Sequence, residues 1–295
     1  MKHADKELSI AFRSSSPRTK TYGIGSRTIR QYRREGSPIV YVDETYLHSS
    51  HTSYSWDDSL NKTLSSPVDK GPRAIIVHGG GKQGFVEKAL LMFKSGRKTG
   101  DHHHEMNSGN FEKWIQEKLI PNLPPRTVMV TDNASYHNIE VNRAPTSNTK
   151  VGEMKQWLAE RNISYPASAL KPGLYELIKK HKSDNIEYRL DATCAAAGHS
   201  VIRLPPYDPD LNPSEMVWGT VKNWVGERNV TFKLDDTMRL AEEKFNSISA
   251  EGWAAYCNKV ENREDQYFAW EMELKAHHRR ERRVQKIRGA GRRPQ

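Results

Sequence analysis

Three carboxylates in this chain stand where short apolar segments stop. Asp43 follows Ile39-Val40-Tyr41-Val42, and Asp132 follows Thr127-Val128-Met129-Val130-Thr131. Glu215 lies in Leu204-Pro205-Pro206-Tyr207-Asp208-Pro209-Asp210-Leu211-Asn212-Pro213-Ser214-Glu215-Met216-Val217-Trp218. The first two segments are β-branched and aromatic, or short and apolar, and read as strands. In the third, the prolines hold the connection extended. Asn212 then caps a helix whose first position is Pro213, where a missing N–H costs nothing. Two strands, the first interrupted by Asp43 and Glu44, and one helix start thus each deliver a carboxylate, a donor set suited to a divalent cation. Mg2+ takes oxygen ligands and is usually held by few carboxylates together with substrate phosphates. Plainer roles are open to the same residues. Glu215, three after the cap, can close a capping box, and an acid at a strand end can be a turn residue.

The elements that must position these groups follow from periodicity. A strand carries Asp43, and His51–Trp56 extends it or forms a hairpin. Arg73–Val77 and Ala89–Lys94 read as two more strands, with His78-Gly79-Gly80-Gly81-Lys82 between them as a glycine turn. That stretch is no nucleotide-binding loop, because Gln83 stands where a Ser or Thr must follow the Lys. Three consecutive strands joined by turns suit an antiparallel meander. A helix from Ser108 or Asn110 follows, with Phe111, Trp114, Ile115 and Leu119 on one face, and Pro121–Pro125 ends it before the strand to Asp132. Helix then strand implies a crossover and a parallel neighbour. The final strand is placed at Ser200–Arg203. Residues 144–198 form a helical insertion. Val151, Met154, Trp157 and Leu158 line one helix; Leu170, Leu174, Leu177 and Ile178 line a second; Ile186, Leu190, Cys194 and Ala197 line a third. Past Glu215, Trp218 lies one turn on and can pack beside the carboxylate. Asp235–Ile248 and Glu251–Trp270 read as helices laid on the domain, and the basic stretch from Ala276 as a disordered tail.

Val42-Asp43-Glu44-Thr45, Thr131-Asp132-Asn133-Ala134-Ser135-Tyr136-His137 and Leu204–Glu215 resemble the three signature blocks of the mariner-superfamily DDE transposases, in the right order, over residues 37–230. The last block is the most specific. The resemblance implies a ribonuclease-H-like mixed five-stranded sheet flanked by helices, with the helical insertion between the fourth and fifth strands. It implies Asp43, Asp132 and Glu215 as the catalytic, metal-holding triad, with Asn133 and His137 as recurrent neighbours of the second Asp. It also implies phosphoryl transfer on double-stranded DNA with two Mg2+ or Mn2+ ions, Asp43 bridging them, and a homodimer working on paired DNA ends. No covalent protein intermediate is needed for that chemistry, and no nucleotide cofactor. Asp132 and Glu215 are separated by 82 residues, a spacing that resembles a long-spacer branch sometimes called sailor. Two readings from outside that activity stay open: a non-catalytic DNA-binding protein derived from a transposase, and a ribonuclease-H-like nuclease without strand transfer.

Charge supports a polyanionic partner. The net charge is +10, with +6 in residues 1–38 and +6 in residues 271–295, so the middle carries −2. Basic ends suit phosphate contacts and counterion release. Within residues 1–36, Ser26 caps a short helix with Ile29 and Tyr32 on one side and Arg27, Arg30, Arg33 and Arg34 available for phosphates. It resembles the recognition helix of the helix-turn-helix that precedes a transposase catalytic domain, and only the tail of such a domain fits upstream, which makes the chain N-terminally truncated in this reading. The insertion's first two helices resemble a small helix–extended–helix DNA-binding module, although two amphipathic helices can equally just pack on a domain. Residues 231–275 are C-terminal helices, and Arg279–Arg293 reads as a nuclear-import signal. Hydrophobic residues make up 36% of the chain, with no run near the ~20 residues of a membrane span. Cys194 and Cys257 have no metal-type spacing, which argues against a zinc site or a disulfide framework. Asp101-His102-His103-His104-Glu105 reads as an exposed loop, since consecutive residues seldom converge on one ion.

Overall fold

A computed structural model describes residues 29–52, 71–95, 106–205 and 209–290. The expected hairpin beyond Thr52, the histidine-rich run at 101–105 and Arg27 lie outside these residues. A short helix at residues 29–34 (α1) leads into β1, Ile39–His48. There follow β2, Arg73–Gly81; β3, Gly84–Phe85; β4, Leu91–Lys94; α2, Ser108–Trp114; and β5, Val128–Thr131. The second half of the chain holds α3, Val151–Glu160; α4, Lys171–Lys182; α5, Arg189–Ala196; β6, Ser200–Arg203; α6, Pro213–Arg228; α7, Leu234–Ser247; and α8, Ala250–Ala290. The sheet has the order β3-β2-β1-β5-β6, with β4 also on β2. β1 to β4 pair antiparallel, while β5 joins β1, and β6 joins β5, in parallel. This is the expected ribonuclease-H-like mixed sheet, with six strands in place of five because Gly84–Phe85 adds a short one.

Alternation along β1 divides the core in two, as period-2 geometry requires. Tyr41 and Leu47 face α6, α7 and α8 through Trp218, Val221, Phe245 and Trp253. Val40 and Val42 face α2 and α5 through Phe111, Trp114, Leu119, Leu190 and Cys194. Asn107, one residue ahead of the expected start, caps α2 by accepting the Asn110 N–H. The insertion carries a small core of its own, Met154, Trp157, Leu158, Leu174 and Ile178 with Ala144, and an isolated bridge between Glu140 and Tyr188 closes its base. Its third helix starts at Arg189 rather than Ile186, which is 37% exposed. The stretch expected as a tail from Ala276 continues α8 as far as Ala290.

The glycine run is a correction with a clear cause. Residues 78–81 are not a turn; they continue β2, pairing Val42 with Gly79 and Tyr41 with Gly80. A Cβ on Gly80 would sit 2.4 Å from the Trp253 ring, and one on Gly81 would sit 2.3 Å from the Ile39 carbonyl oxygen. The glycines let β1 and the first turn of α8 close on β2, a use of glycine within a strand that lowers its apparent strand propensity. Gly81→Ala is therefore expected to cost about 1–3 kcal/mol, since the obstructing atom is backbone. Gly152→Ala, where nothing lies within 4 Å, is expected to be neutral or slightly stabilising. Urea titration of both variants checks the contrast, and equal midpoints would reject this account of the run.

Candidate active site

The strand register brings the first two carboxylates together. β1 and β5 are parallel, with Val42 opposite Thr131 as their last paired residues. Asp43 and Asp132 are the next residue of each, side by side where the two strands part. β1 then continues to His48 with β2 alone beside it, which leaves an opening on the β5 side. The start of α6 faces that opening. Asn212 caps α6, its Oδ1 accepting the Ser214 N–H at 3.1 Å, while its Nδ2 donates to Asp43 Oδ2 at 3.0 Å. One amide thus orients the helix and ties it to β1.

Glu215 sits in the first turn of α6 with its side chain exposed. Among the described residues it does not reach back to the Asn212 N–H, so the alternative of a capping box is not realised. Trp218 also differs from expectation. It is buried against the sheet, and its indole N–H donates to Asp43 Oδ2 at 2.9 Å rather than bracing Glu215.

The electrostatics single out Asp43. Burial pushes its carboxyl up to about 7, Glu215 and Asp132 add to the rise, and the Trp218 and Glu44 N–H bonds oppose it. For Asp132, burial acts upward, but hydrogen bonds from His137 and the Ala134 N–H hold the carboxyl below its ordinary value. His137 is the centre of a relay. Its Nδ1 lies 2.9 Å from Asp132 Oδ1 and its Nε2 lies 3.2 Å from Glu44 Oε1. Burial alone would lower its pKa, yet the two carboxylates raise it to about 9, so it is a cation near neutrality. Tyr136 donates a short hydrogen bond to the other oxygen of Glu44, and Phe111 lies against the His137 ring at 4.2 Å. Lys222, two turns beyond Glu215 and half-buried, has its pKa lowered by burial while the fields of Glu215 and Asp43 act upward.

Glu44, Tyr136 and Lys222 were not singled out from sequence, and Asn212 was read only as a cap. Glu44 had one signal, a second acid interrupting an apolar strand. Asn133 braces the loop instead of the carboxylates, its Oδ1 accepting from Asn138 at 2.7 Å. Arg203, at the end of β6, donates to the His137 carbonyl and pairs with Asp191, joining the insertion to the same loop. Of the arginines expected to face phosphate, Arg30 pairs with Asp265 at 2.8 Å, and Arg33 pairs with Glu261 and Glu264 at 3.0 Å each, all on α8. Arg34 is exposed.

The residues fit a divalent cation. The donors are all carboxylate oxygens, and the burial that lifts Asp43, with a smaller push from Glu215 and Asp132, is a cost that such an ion would relieve. His137 and Ala134 occupy one oxygen of Asp132 and leave the other available. Among the described residues no three acidic, His or Cys side chains are gathered closely enough to hold an ion: Asp43 and Asp132 line one cleft, and Glu215 lines a second one with Asn212 and Arg263.

A family model described as DDE superfamily endonuclease matches residues 71–239, a range that includes Asp132 and Glu215 and begins beyond Asp43. The fold is similar to the chain in the Mos1 strand transfer complex, with a TM-score of 0.52 at 15% identity over 86% of this chain and 61% of that one. It is equally similar to the mariner Mos1 paired-end complex with Mg, with a TM-score of 0.52 at 15% identity over 88% and 64%. For the corresponding complex with Mn the TM-score is 0.52 at 14% identity over 87% and 63%. The chain therefore spans about three fifths of the length of these solved chains. No curated protein matches its sequence.

Proposed function

The chain belongs to the DDE superfamily endonuclease family, and on that premise we propose that it is the catalytic part of a mariner-type transposase that cuts and joins DNA by metal-dependent phosphoryl transfer. The observation that carries the reading is that Asp43 and Asp132 line one cleft, while Asn212 ties the start of α6, with Glu215 in its first turn, to Asp43. In this reading Asp43, Asp132 and Glu215 would be the carboxylates that hold two Mg2+ or Mn2+ ions. Such ions, when bound, activate a water or a DNA 3′-hydroxyl and stabilise the leaving oxygen.

The chain's own residues prepare that chemistry. Asn212 and Trp218 fix Asp43 Oδ2, so the carboxylate does not swing as charge builds beside it. Glu44 holds His137, and His137 holds Asp132, which keeps the second carboxylate ionised and aimed. The solved relatives, named as paired-end complexes with Mg, with Mn and with a left transposon end, support divalent metal and transposon-end DNA as the partners, and the proposal includes a homodimer on paired ends. The long spacer supports a sailor-like branch, and the basic ends support nuclear localisation and phosphate contacts at Arg27 and Arg34. Residues 1–36, 37–230 and 231–275 serve in this reading as a DNA-contacting segment, the catalytic domain and its covering helices.

Supercoiled-plasmid nicking with Mn2+ or Mg2+ against EDTA tests the proposal. Metal-dependent nicking is expected, and Asp132→Asn and Glu215→Gln are each expected to lose at least about 10²-fold, the scale of several kcal/mol of lost transition-state stabilisation. Joining of a labelled 3′-end to the plasmid separates a transposase from a nuclease without strand transfer. Nicking that survives EDTA, or both substitutions, would reject the assignment.

A further inference from the structure

We propose that Tyr46, set between Arg73 and Lys222, is a stacking platform for an unpaired nucleobase of the DNA strand beside the scissile phosphate. The inference rests on the reading of the cleft as a DNA-cutting site and names how that site grips its strand.

Tyr46 lies three residues beyond Asp43, ~10 Å along an extended strand, on the part of β1 that has no β5 neighbour. Its side chain belongs to none of the three apolar cores and is 52% exposed. A large aromatic left in the open at the mouth of a charged cleft has no packing reason to be there. Two cations flank the ring: the Arg73 guanidinium lies 5.7 Å from its centroid and the Lys222 ammonium 5.3 Å from it. His48 touches it edge-on at 5.3 Å. Cation–π contacts hold the ring in place and leave part of it open to solvent.

The same cleft, about 330 Å³, is lined by Asp43, Asp132, Tyr136, Arg73 and Tyr46. Asp43, Asp132 and the open ring therefore line one cleft. The carboxylates repel a phosphodiester, and a strand can lie across them only where positive charge compensates. Arg73 and Lys222, both against the Tyr46 ring, supply that charge. An aromatic face bracketed by cations is the arrangement that binds single-stranded nucleic acid without regard to sequence, because every base has a π-face and every linkage a phosphate. A base still paired in a duplex does not offer its face, so the occupant is a nucleotide unstacked next to the cut.

The test compares Tyr46→Ala and Tyr46→Phe with wild type in the full chain. Binding of a short fluorescein-labelled single-stranded oligonucleotide is followed by anisotropy in EDTA, and stacking is followed by quenching of an aminopurine placed beside the cleavage position. Tyr46→Ala is expected to weaken single-strand binding by about 10-fold or more, to abolish the quenching, and to raise KM for nicking more than it lowers kcat. Tyr46→Phe, which keeps the ring, is expected to match wild type in all three. The melting temperature should be the same for all, since the ring is outside the cores. Unchanged binding and quenching in Tyr46→Ala, or equal losses in Tyr46→Phe, would overturn the platform. A wild-type chain that nicks DNA while Tyr46→Ala behaves identically sinks this inference alone. One that stacks the probe through Tyr46 but never nicks sinks the catalytic reading instead.

Discussion

Asp43→Asn is expected to abolish plasmid nicking, by at least about 10³-fold, while raising the melting temperature of the metal-free protein. The two effects have one cause. Asp43 is a buried carboxylate at the meeting point of three negative groups, and its folded pKa lies near 7, well above the ordinary carboxyl value. An acid whose pKa is raised on folding binds more protons in the native state than in the unfolded one. Stability therefore falls as pH rises from the unfolded value, about 4, to the folded value near 7, and the loss stays constant above that. Asparagine is nearly isosteric and carries no charge to desolvate. Its carbonyl oxygen can still accept from the Asn212 amide and the Trp218 indole, so the packing of α6 on β1 survives, while the Glu44 N–H bond to Oδ1 is lost and offsets part of the gain. The substitution removes Asp43's share of the pH slope in the metal-free protein and, with it, the charge that a divalent ion needs. Thermal melts of wild type and Asp43→Asn in EDTA across that pH range, beside the nicking assay, check both halves. An Asp43→Asn protein that is less stable than wild type near pH 8, or that still nicks, contradicts this account of the residue.

Much of this site was legible because its acids interrupt or follow short apolar runs. Asp43 breaks the apolar pattern inside β1, Asp132 follows β5, and Glu215 lies in the first turn of a capped helix. Their proximity was not local. It depends on the parallel register that puts Val42 opposite Thr131, and nothing along the chain states a register. The supporting groups were hidden for the same reason. Trp218 is one helical turn from Glu215, so adjacency suggested that pair, whereas its indole N–H reaches across to β1 and Asp43. The glycine run was misread because three glycines carry no strand signal of their own. The reason they belong in β2 is Trp253, far along the chain, whose ring fills the space above Gly80. The length of α8 was likewise obscured, since a basic run without apolar periodicity looks like a tail.

Arg33→Ala is expected to cost about 3–5 kcal/mol near neutral pH, the usual consequence of removing one partner from a buried ion pair. From sequence, Arg33 looked like a phosphate contact on an exposed basic helix. In the structure its guanidinium bridges Glu261 and Glu264, both at 3.0 Å, and touches the Tyr41 hydroxyl at 3.5 Å. Glu264 is the buried member, 2% exposed among core residues of α8. Burial raises its pKa, and Arg33 works against that rise. Without Arg33 the folded pKa climbs further, and the raised-acid case applies: stability is fully present below the unfolded value and is lost as pH rises through the folded one. The deficit of Arg33→Ala relative to wild type should therefore be smallest at about pH 4–5, where Glu264 takes up a proton, and largest at about pH 8. Adding Glu264→Gln to Arg33→Ala should recover most of the loss at the higher pH, because the uncompensated charge is gone. Denaturant titrations of the single and double variants at both pH values decide the matter. A deficit that does not change with pH and is not relieved by Glu264→Gln would mean that Arg33 acts through packing of its aliphatic stem. It would then also be free to serve DNA in the way its sequence context suggested.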